Sequence, residues 1–292
     1  MGLCMPFELD ISFYREKYED LREFSDAKIV NHFSEYGASE GRQSHPLGDR
    51  SAIVAEISQE KSILEIGPFC NPLLRGSNIK YHDVLDAQQL RKRARELGLN
   101  PNDCPEFIDF VGDISDIDGE FDVVVSSHCI EHQIDLVHHL NGVARILKKR
   151  GGRYVVIVPD KRFCFDHFMP ETTIADVIDR HRYPRRRHSL KSVIEHHALI
   201  THNNPVRHWN GDHGEQYPKD QMYKIAAAIK LYDDDPDYID VHAWYFTPEN
   251  FSEIMQGLYM CGLVGMRLTS IYQTLRNGIE FIAVFEKRHD NF

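Results

Sequence analysis

The chain has no apolar run approaching the about 18 residues that a membrane-crossing helix needs, which argues against a helical span. Cysteine is sparse. The six residues at 4, 70, 104, 129, 164 and 261 form no C-x-x-C pair, so the expectation is reduced thiols in a cytoplasmic protein rather than a disulfide framework. Basic charge is also short: 34 Lys and Arg stand against 45 Asp and Glu, a net charge of −11. Nucleic acid is a disfavoured partner, because neutralising phosphates needs a basic face. The opening MGLCMPFELD lacks the basic-then-apolar layout of a secretory signal. Pro6 stands where a myristoylation site has Ser or Thr. A glycine-rich G-x-G-x-x-G loop is missing too, and this weakens any diphosphate-bearing nicotinamide or flavin cofactor.

What is present is a balanced chain of 292 residues, 42% hydrophobic, enough for one large domain with a small appendage. Residues 1–50 are charged and aromatic. Ile29, Phe33 and Tyr36 at helical spacing predict two short helices ended by Gly37 and Gly41, a helical cap. From residue 51 a second unit begins, running to 292. KSILEIGP, IKYHDVLD, EFIDFVGDI, FDVVVSS and RYVVIVPD read as strands, with AQQLRKRARELG as a helix among them. A helix over about 130–147 carries Ile130, Ile134, Val137, Leu140, Ala144 and Leu147 on one stripe. Such alternation predicts an α/β fold, a parallel Rossmann-like sheet with helices on both faces. Residues of about 160–240 break the rhythm and read as an acceptor-side insertion. PENFSEIMQGLYMCG restores a helix, and VGMRLTSIY and IEFIAVFEKR close the sheet as a hairpin-like edge.

Ligands of open α/β sheets bind at the carboxyl ends of the strands. The first such end, LEIGPFCNP, offers Glu65 and Gly67, with Phe69 and Asn71 where further glycines would sit. The second ends in Asp83, an acid suited to both hydroxyls of a ribose, with Asp86 as competitor. The third supplies Asp113, placed to receive an adenine amino group, and the fourth ends at Ser127.

LEIGP, YHDVLD, VGDI, FDVVVSSHCIEH and ARILKKRGGRYVVIVPD, in that order, resemble the class I S-adenosylmethionine-dependent methyltransferases. The likeness covers roughly 60–165 and the C-terminal strands. It implies S-adenosyl-L-methionine as cofactor, with Glu65, Gly67, Asp83, Asp113 and Ser127 around it. EIGPFCNP, VPDKRFCFDHF and DVHAWYFTPENF further resemble methyltransferases that accompany bacterial glycosyltransferases in surface-polysaccharide biosynthesis. HFSEYGASEGR in the cap is similar to short repeats found beside glycan-assembly enzymes. The implied activity is O-methylation of a saccharide hydroxyl, with a glycosyltransferase as possible partner. Two alternatives stand: a quinone or natural-product acceptor, and a non-catalytic module of a glycan-assembly complex.

In SSHCIEHQID, the residues His128, Glu131 and His132 follow the fourth strand at spacings i, i+3 and i+4. A helix starting near 128 would put them on one face. A sugar hydroxyl is a poor nucleophile, so either a base must take its proton or a metal must acidify it. The pattern resembles the Glu-x-x-Glu-His metal motif of the small-RNA terminal 2′-O-methyltransferases and of quinone-ring O-methyltransferases. VHAWYFTPENF places His242 in the position of the later histidine of the RNA enzymes. The resemblance implies a divalent metal on His128, Glu131, His132 and His242. A histidine in place of the first glutamate favours Mn, Fe or Zn over a harder cation. A metal-free histidine base remains the other route. Asp160, Lys161 and Arg162, after the fifth strand, are candidates for acceptor contacts. The run RHRYPRRRH (180–188) either forks an anionic acceptor group, through Arg185 to Arg187, or pairs with the acidic run 233–237. His196, His197, His202, His208 and His213 read as a wet polar loop, and Cys129 as a packed thiol.

Overall fold

Residues 7–287 are described in this computed structural model. Residues 1–6, on which the signal and myristoylation readings partly rest, lie outside the described residues, and Cys4 with them. Two short helices come first, α1 (Ile11–Lys17) and α2 (Asp26–His32), the second running on through a π turn to Gly37. Tyr14, Leu21, Ile29 and Phe33 bury into a small core of their own. Tyr36, on the predicted stripe, is instead 55% exposed.

The sheet follows with α3 (Arg50–Ile57), β1 (Ile63–Ile66), β2 (Ile79–Asp83), α4 (Ala87–Glu96), β3 (Phe110–Val111) and β4 (Val123–Ser127). Then come α5 (Leu136–Ile146) and β5 (Arg153–Pro159). Four helices without a strand between them occupy the predicted insertion: α6 (Ile174–Arg182), α7 (Leu190–Ala198), α8 (Pro205–Trp209) and α9 (Gln221–Asp234). The chain ends with α10 (Pro248–Met260), β6 (Met266–Tyr272) and β7 (Glu280–Lys287). The strand order is β3-β2-β1-β4-β5-β7-β6, parallel from β3 to β5, with β7 antiparallel to both β5 and β6.

Alternation along the strands explains the layers. Val124, Tyr154, Val156 and Val158 pack with α5 and α10, whereas Val123, Val125, Val155 and Ile157 pack with Ile53 and Ile57 of α3. Both faces are therefore covered, as a mostly parallel sheet requires. The polar atoms inside are paired: Tyr154 Oη lies 2.8 Å from Ser126 Oγ and 2.9 Å from His139 Nε2. No helix among the described residues is long and apolar enough to cross a membrane.

Two expectations need correction. The third strand, read over EFIDFVGDI, forms only at Phe110–Val111 on the sheet edge. Phe107 is 61% exposed, and the Asp109 carboxylate accepts the Tyr81 N–H at 2.8 Å instead of leaving it to a ladder. The helix read from about 130 is broken. A 3-10 turn spans Ile130–His132, and α5 starts at Leu136 because Asp135 caps it, accepting the His138 N–H at 2.9 Å. His128, Glu131 and His132 thus do not share a helical face.

Gly142 marks where α5 presses closest on its neighbour. A Cβ there would lie 2.4 Å from Ile114 Cγ2. Gly142→Ala is expected to destabilise the protein by about 1–3 kcal/mol in urea unfolding, despite alanine's better helix propensity. An unchanged midpoint would show that Ile114 yields freely.

Candidate active site at the end of β4

At Ser127 the chain leaves β4 and turns sharply, with His128 in the left-handed region at φ +49°. A non-glycine residue held there signals local constraint. The His128 N–H still reaches Ile157 O at 3.0 Å, so the turn is anchored to β5. The 3-10 turn then directs Glu131 inward until it has no exposed surface. The segment after α9 lies against this turn. Ala243 donates its N–H to Glu131 O at 2.8 Å, and Trp244 Nε1 to Gln133 O at 2.6 Å. That pairing delivers His242.

Three side chains converge. Glu131 Oε1 is 3.8 Å from His132 Nε2 and 3.8 Å from His242 Nε2, with the two imidazole rings edge to face at 4.6 Å. Neither oxygen of the buried Glu131 carboxylate has a hydrogen-bond donor. Such a group is costly unless something else satisfies it. Separations of 3.8 Å are what two metal bonds of about 2.1 Å span at an open angle.

Each histidine is backed by a carboxylate on its other nitrogen. His242 Nδ1 meets Asp166 Oδ2 at 2.6 Å, and His132 Nδ1 stands 2.9 Å from Asp240 Oδ1, an ion-pair contact bent away from hydrogen-bond geometry. This is the carboxylate–histidine arrangement that orients imidazole ligands. Burial opposes charge on both His132 and Asp240. Their mutual contact, with Glu131 beside His132 and Arg93 beside Asp240, prevails and raises the histidine pKa while holding Asp240 well below the carboxylate range.

His128 stands apart from this cluster. Its Nδ1 is likewise 3.9 Å from Glu131 Oε1 and its Nε2 is held by Glu280 Oε2 at 2.6 Å, but it does not join Glu131, His132 and His242 in the grouping whose ligand atoms all lie within 4.8 Å of one another. Glu280 in turn takes a forked contact from Arg50 at 2.7 and 2.8 Å. Arg50 also donates to Ser127 Oγ at 3.0 Å, so the Ser127 hydroxyl has a protein partner. Sequence reading missed Arg50, Glu280, Asp166 and Asp240. No motif spacing marks them, because each acts across the fold.

At the other strand ends, Gly67 adopts φ +68°, and a Cβ there would press to 3.0 Å of Cys129 Sγ. Burial pushes the Cys129 thiol well above its ordinary value. Glu65 is only 2% exposed, and its two oxygens already accept the Leu73 and Leu74 N–H groups at 2.7 and 3.2 Å. It shapes the loop after β1. Asp86 caps α4, accepting N–H groups of Gln88 and Gln89 at 2.8 Å each. Asp83 accepts the Leu85 N–H at 3.0 Å, and burial raises its pKa to about 6. Asp113 accepts from Ser115 at 2.8 Å and lies 3.0 Å from His138 Nε2.

The predicted acceptor residues divide. Asp160 has no exposed surface and is bound by Arg162 and by Thr274, at 2.6 and 2.7 Å, so it braces Arg162. Lys161 donates to His167 O at 3.0 Å. Arg162 keeps a partly exposed guanidinium 3.6 Å from Glu249. In the basic run, Arg187 docks on the carbonyls of Tyr232 and Asp235 at the end of α9, and Arg185 and Arg186 are exposed. The histidine-rich loop is less wet than expected. His208 is 2% exposed, and the rings of His167, His208 and His213 stack at 9° to 26° to one another. His208 Nδ1 lies 3.1 Å from His213 Nδ1, and one ring nitrogen of each of the three histidines lies within 4.8 Å of the others, so they form a second cluster of possible ligands among the described residues.

A mostly parallel sheet with an antiparallel seventh strand between β5 and β6, its polar side chains gathered at the carboxyl ends, is the fold of class I S-adenosylmethionine-dependent methyltransferases. The family model described as a methyltransferase domain matches residues 67–156, from the β1 turn into β5. Over these residues the chain is similar to a methyltransferase domain. No curated protein matches the chain. Among solved structures, the mitomycin 7-O-methyltransferase MmcR is 13% identical at a TM-score of 0.39, with 96% of this chain and 61% of that one covered. This chain therefore spans about three fifths of that enzyme's length. An S-adenosylmethionine-dependent methyltransferase from Clostridium acetobutylicum ATCC 824 is 10% identical at a TM-score of 0.41, covering 89% and 98%. The CcbJ methyltransferase from Streptomyces caelestis is 12% identical at 0.39, covering 89% and 96%.

Proposed function

We propose that the protein is an O-methyltransferase that moves the methyl group of S-adenosylmethionine to a saccharide hydroxyl, with a divalent metal held by Glu131, His132 and His242. The observation that carries this reading is the buried Glu131 carboxylate, without a donor on either oxygen, facing two imidazoles that are each backed by an acid. His128, expected as a fourth ligand, lies outside the mutual grouping of the other three and takes the other route open to it, the base. Bound there, Mn, Fe or Zn would acidify a hydroxyl brought against it.

The acceptor oxygen attacks the methyl carbon in line with the carbon–sulfur bond. The electron pair of that bond passes to sulfur and leaves neutral S-adenosylhomocysteine. The hydroxyl proton passes to His128, whose Nε2–H is fixed on Glu280 and whose Nδ1 is left with its lone pair. The sheet end with Gly67 and Asp83 holds the cofactor, with Asp83 on the ribose hydroxyls. The saccharide acceptor itself rests on the sequence resemblance. Donor consumption across a panel of sugars, catechols and amines tests it: transfer to amines alone, or to catechols and no sugar, rejects it.

Asp83→Ala is expected to weaken cofactor binding by about 1.5–3 kcal/mol, while Asp86→Ala costs about 1 kcal/mol of helix capping and keeps cofactor affinity. Affinity should also depend on pH. The ionised carboxylate is the acceptor of both hydroxyls, so binding is full above the Asp83 pKa of about 6 and falls as pH drops through it. Calorimetry between pH 5 and pH 8 checks this. A flat profile would remove Asp83 from the ribose site.

A further inference from the structure

Within the basic run Arg187 is docked on carbonyls and Arg185 and Arg186 face solvent, whereas its two ends, Arg180 and His188, hold buried polar atoms. Half-buried guanidinium groups elsewhere in this acidic chain are paired: Arg93 with Asp240, Arg153 with Glu56 and Glu60, Arg162 with Asp160. Arg180 makes no ion pair among the described residues. Its Nη1 is buried without a hydrogen-bond partner, and its guanidinium lies 5.7 Å from the centre of the Trp244 ring. The nearby Asp135 is occupied, by His181 Nδ1 at 2.9 Å and by the His138 N–H at 2.9 Å.

His188 is 1% exposed, and neither ring nitrogen makes a well-aligned hydrogen bond, although the His132 backbone carbonyl stands close to the ring. It lies in the electrostatic range of His132, Arg180 and Asp240. Asp240 cannot serve it, being held by Arg93, by His132 and by Tyr238 Oη at 3.0 Å. Buried donors of this kind are rarely left unmet in a folded protein. The unmet Nη1 of Arg180 and the poorly satisfied ring of His188, which lie within electrostatic range of each other, point to a ligand group. The place is informative as well. Trp244 follows His242 by two residues and holds Gln133 O, so these two side chains flank the His132 and His242 side of the site.

We infer that Arg180 and His188 form a recognition subsite for a carboxylate on the acceptor, so that the hydroxyl compound methylated is an acidic one, a uronic acid or similar. This rests on the proposed acceptor site of the preceding subsection. A guanidinium fork suits the two oxygens of a carboxylate, and the buried imidazole supplies one more donor. The Trp244 face closes one side.

The test uses matched acidic and neutral acceptors, glucuronate against glucose and galacturonate against galactose, with cofactor affinity measured alongside. The expected result is at least a tenfold preference in kcat/KM for the acid, lost in Arg180→Met and reduced in His188→Gln. Arg180→Met should melt within about two degrees of the unmodified protein, since no ion pair is lost and methionine can keep contact with the Trp244 ring. Equal rates for acid and neutral partners, an acid preference that survives Arg180→Met, or a melting point several degrees lower in that variant each overturn the inference. If no sugar turns over, binding of the two uronates by calorimetry decides. Binding that Arg180→Met abolishes sustains the subsite, and no binding rejects it. Failure of the methyltransferase reading is distinct, because the unmodified protein would then bind no S-adenosylmethionine.

Discussion

Glu131→Gln is expected to raise the stability of the metal-free protein and, at the same time, to lower methyl transfer at least a hundredfold. The two signs come from one feature. In the metal-free fold a carboxylate with no exposed surface has two oxygens without donors. Unmet buried charge is costly, on the order of 1–3 kcal/mol or more for each unsatisfied group. The amide removes the charge at nearly equal volume, so the melting temperature without metal should rise. The same change removes the anionic ligand from a set whose other members, His132 and His242, are neutral when they coordinate. Elemental analysis should find the ion in the unmodified protein and not in the variant. A chelator should abolish turnover, and Mn or Zn should restore it. His242→Ala should lose turnover permanently. Asp166→Asn and Asp240→Asn, which unsettle the rings rather than the ligands, should weaken the metal by about 10–100-fold. Full activity after exhaustive chelation, with no metal found, would reject the metal and leave the histidine base alone.

The sheet was legible because its signals are local. ILEI and VVVSS are short apolar runs bounded by turns, and the stripe on α5 is set by 3.6-residue spacing. The break before α5 was not legible by periodicity, since Ile130 and Leu136 both bury whether or not one helix joins them. Asp135 was the available sign, an N-cap residue inside an apparently continuous stripe. Of the site, Glu131, His132 and His242 could be named from spacing and resemblance. Their carboxylate partners could not. Asp166 and Asp240 come from the insertion, where the chain has no sheet register to announce a neighbour. His128 shows the limit most clearly. In sequence it is the first residue of a ligand motif, yet a left-handed backbone and Glu280, 152 residues later, turn it to a separate dyad.

That separation sets the last expectation. If His128 takes the acceptor proton, His128→Ala should lower kcat by about 10²–10⁴, the range of a positioned general base, while the metal content stays that of the unmodified protein. The contrast with His132→Ala matters, because loss of a ligand removes ion and activity together. His128→Asn is the control for the fold, since asparagine tolerates the left-handed conformation that residue 128 adopts at φ +49°. Glu280→Gln should give a smaller loss in kcat with little change in KM. Its amide still contacts the Nε2 at which Glu280 now stands 2.6 Å away, but no longer stabilises the imidazolium formed when the proton arrives. Arg50→Met frees Glu280 from its forked contact and should fall between the two. A smaller acceptor pKa provides the cross-check: with acidic phenols, whose proton needs little help, the His128→Ala defect should shrink while a ligand defect persists. A His128→Ala enzyme of normal kcat on sugar hydroxyls, or one that loses its ion, would place the proton elsewhere and return His128 to the metal.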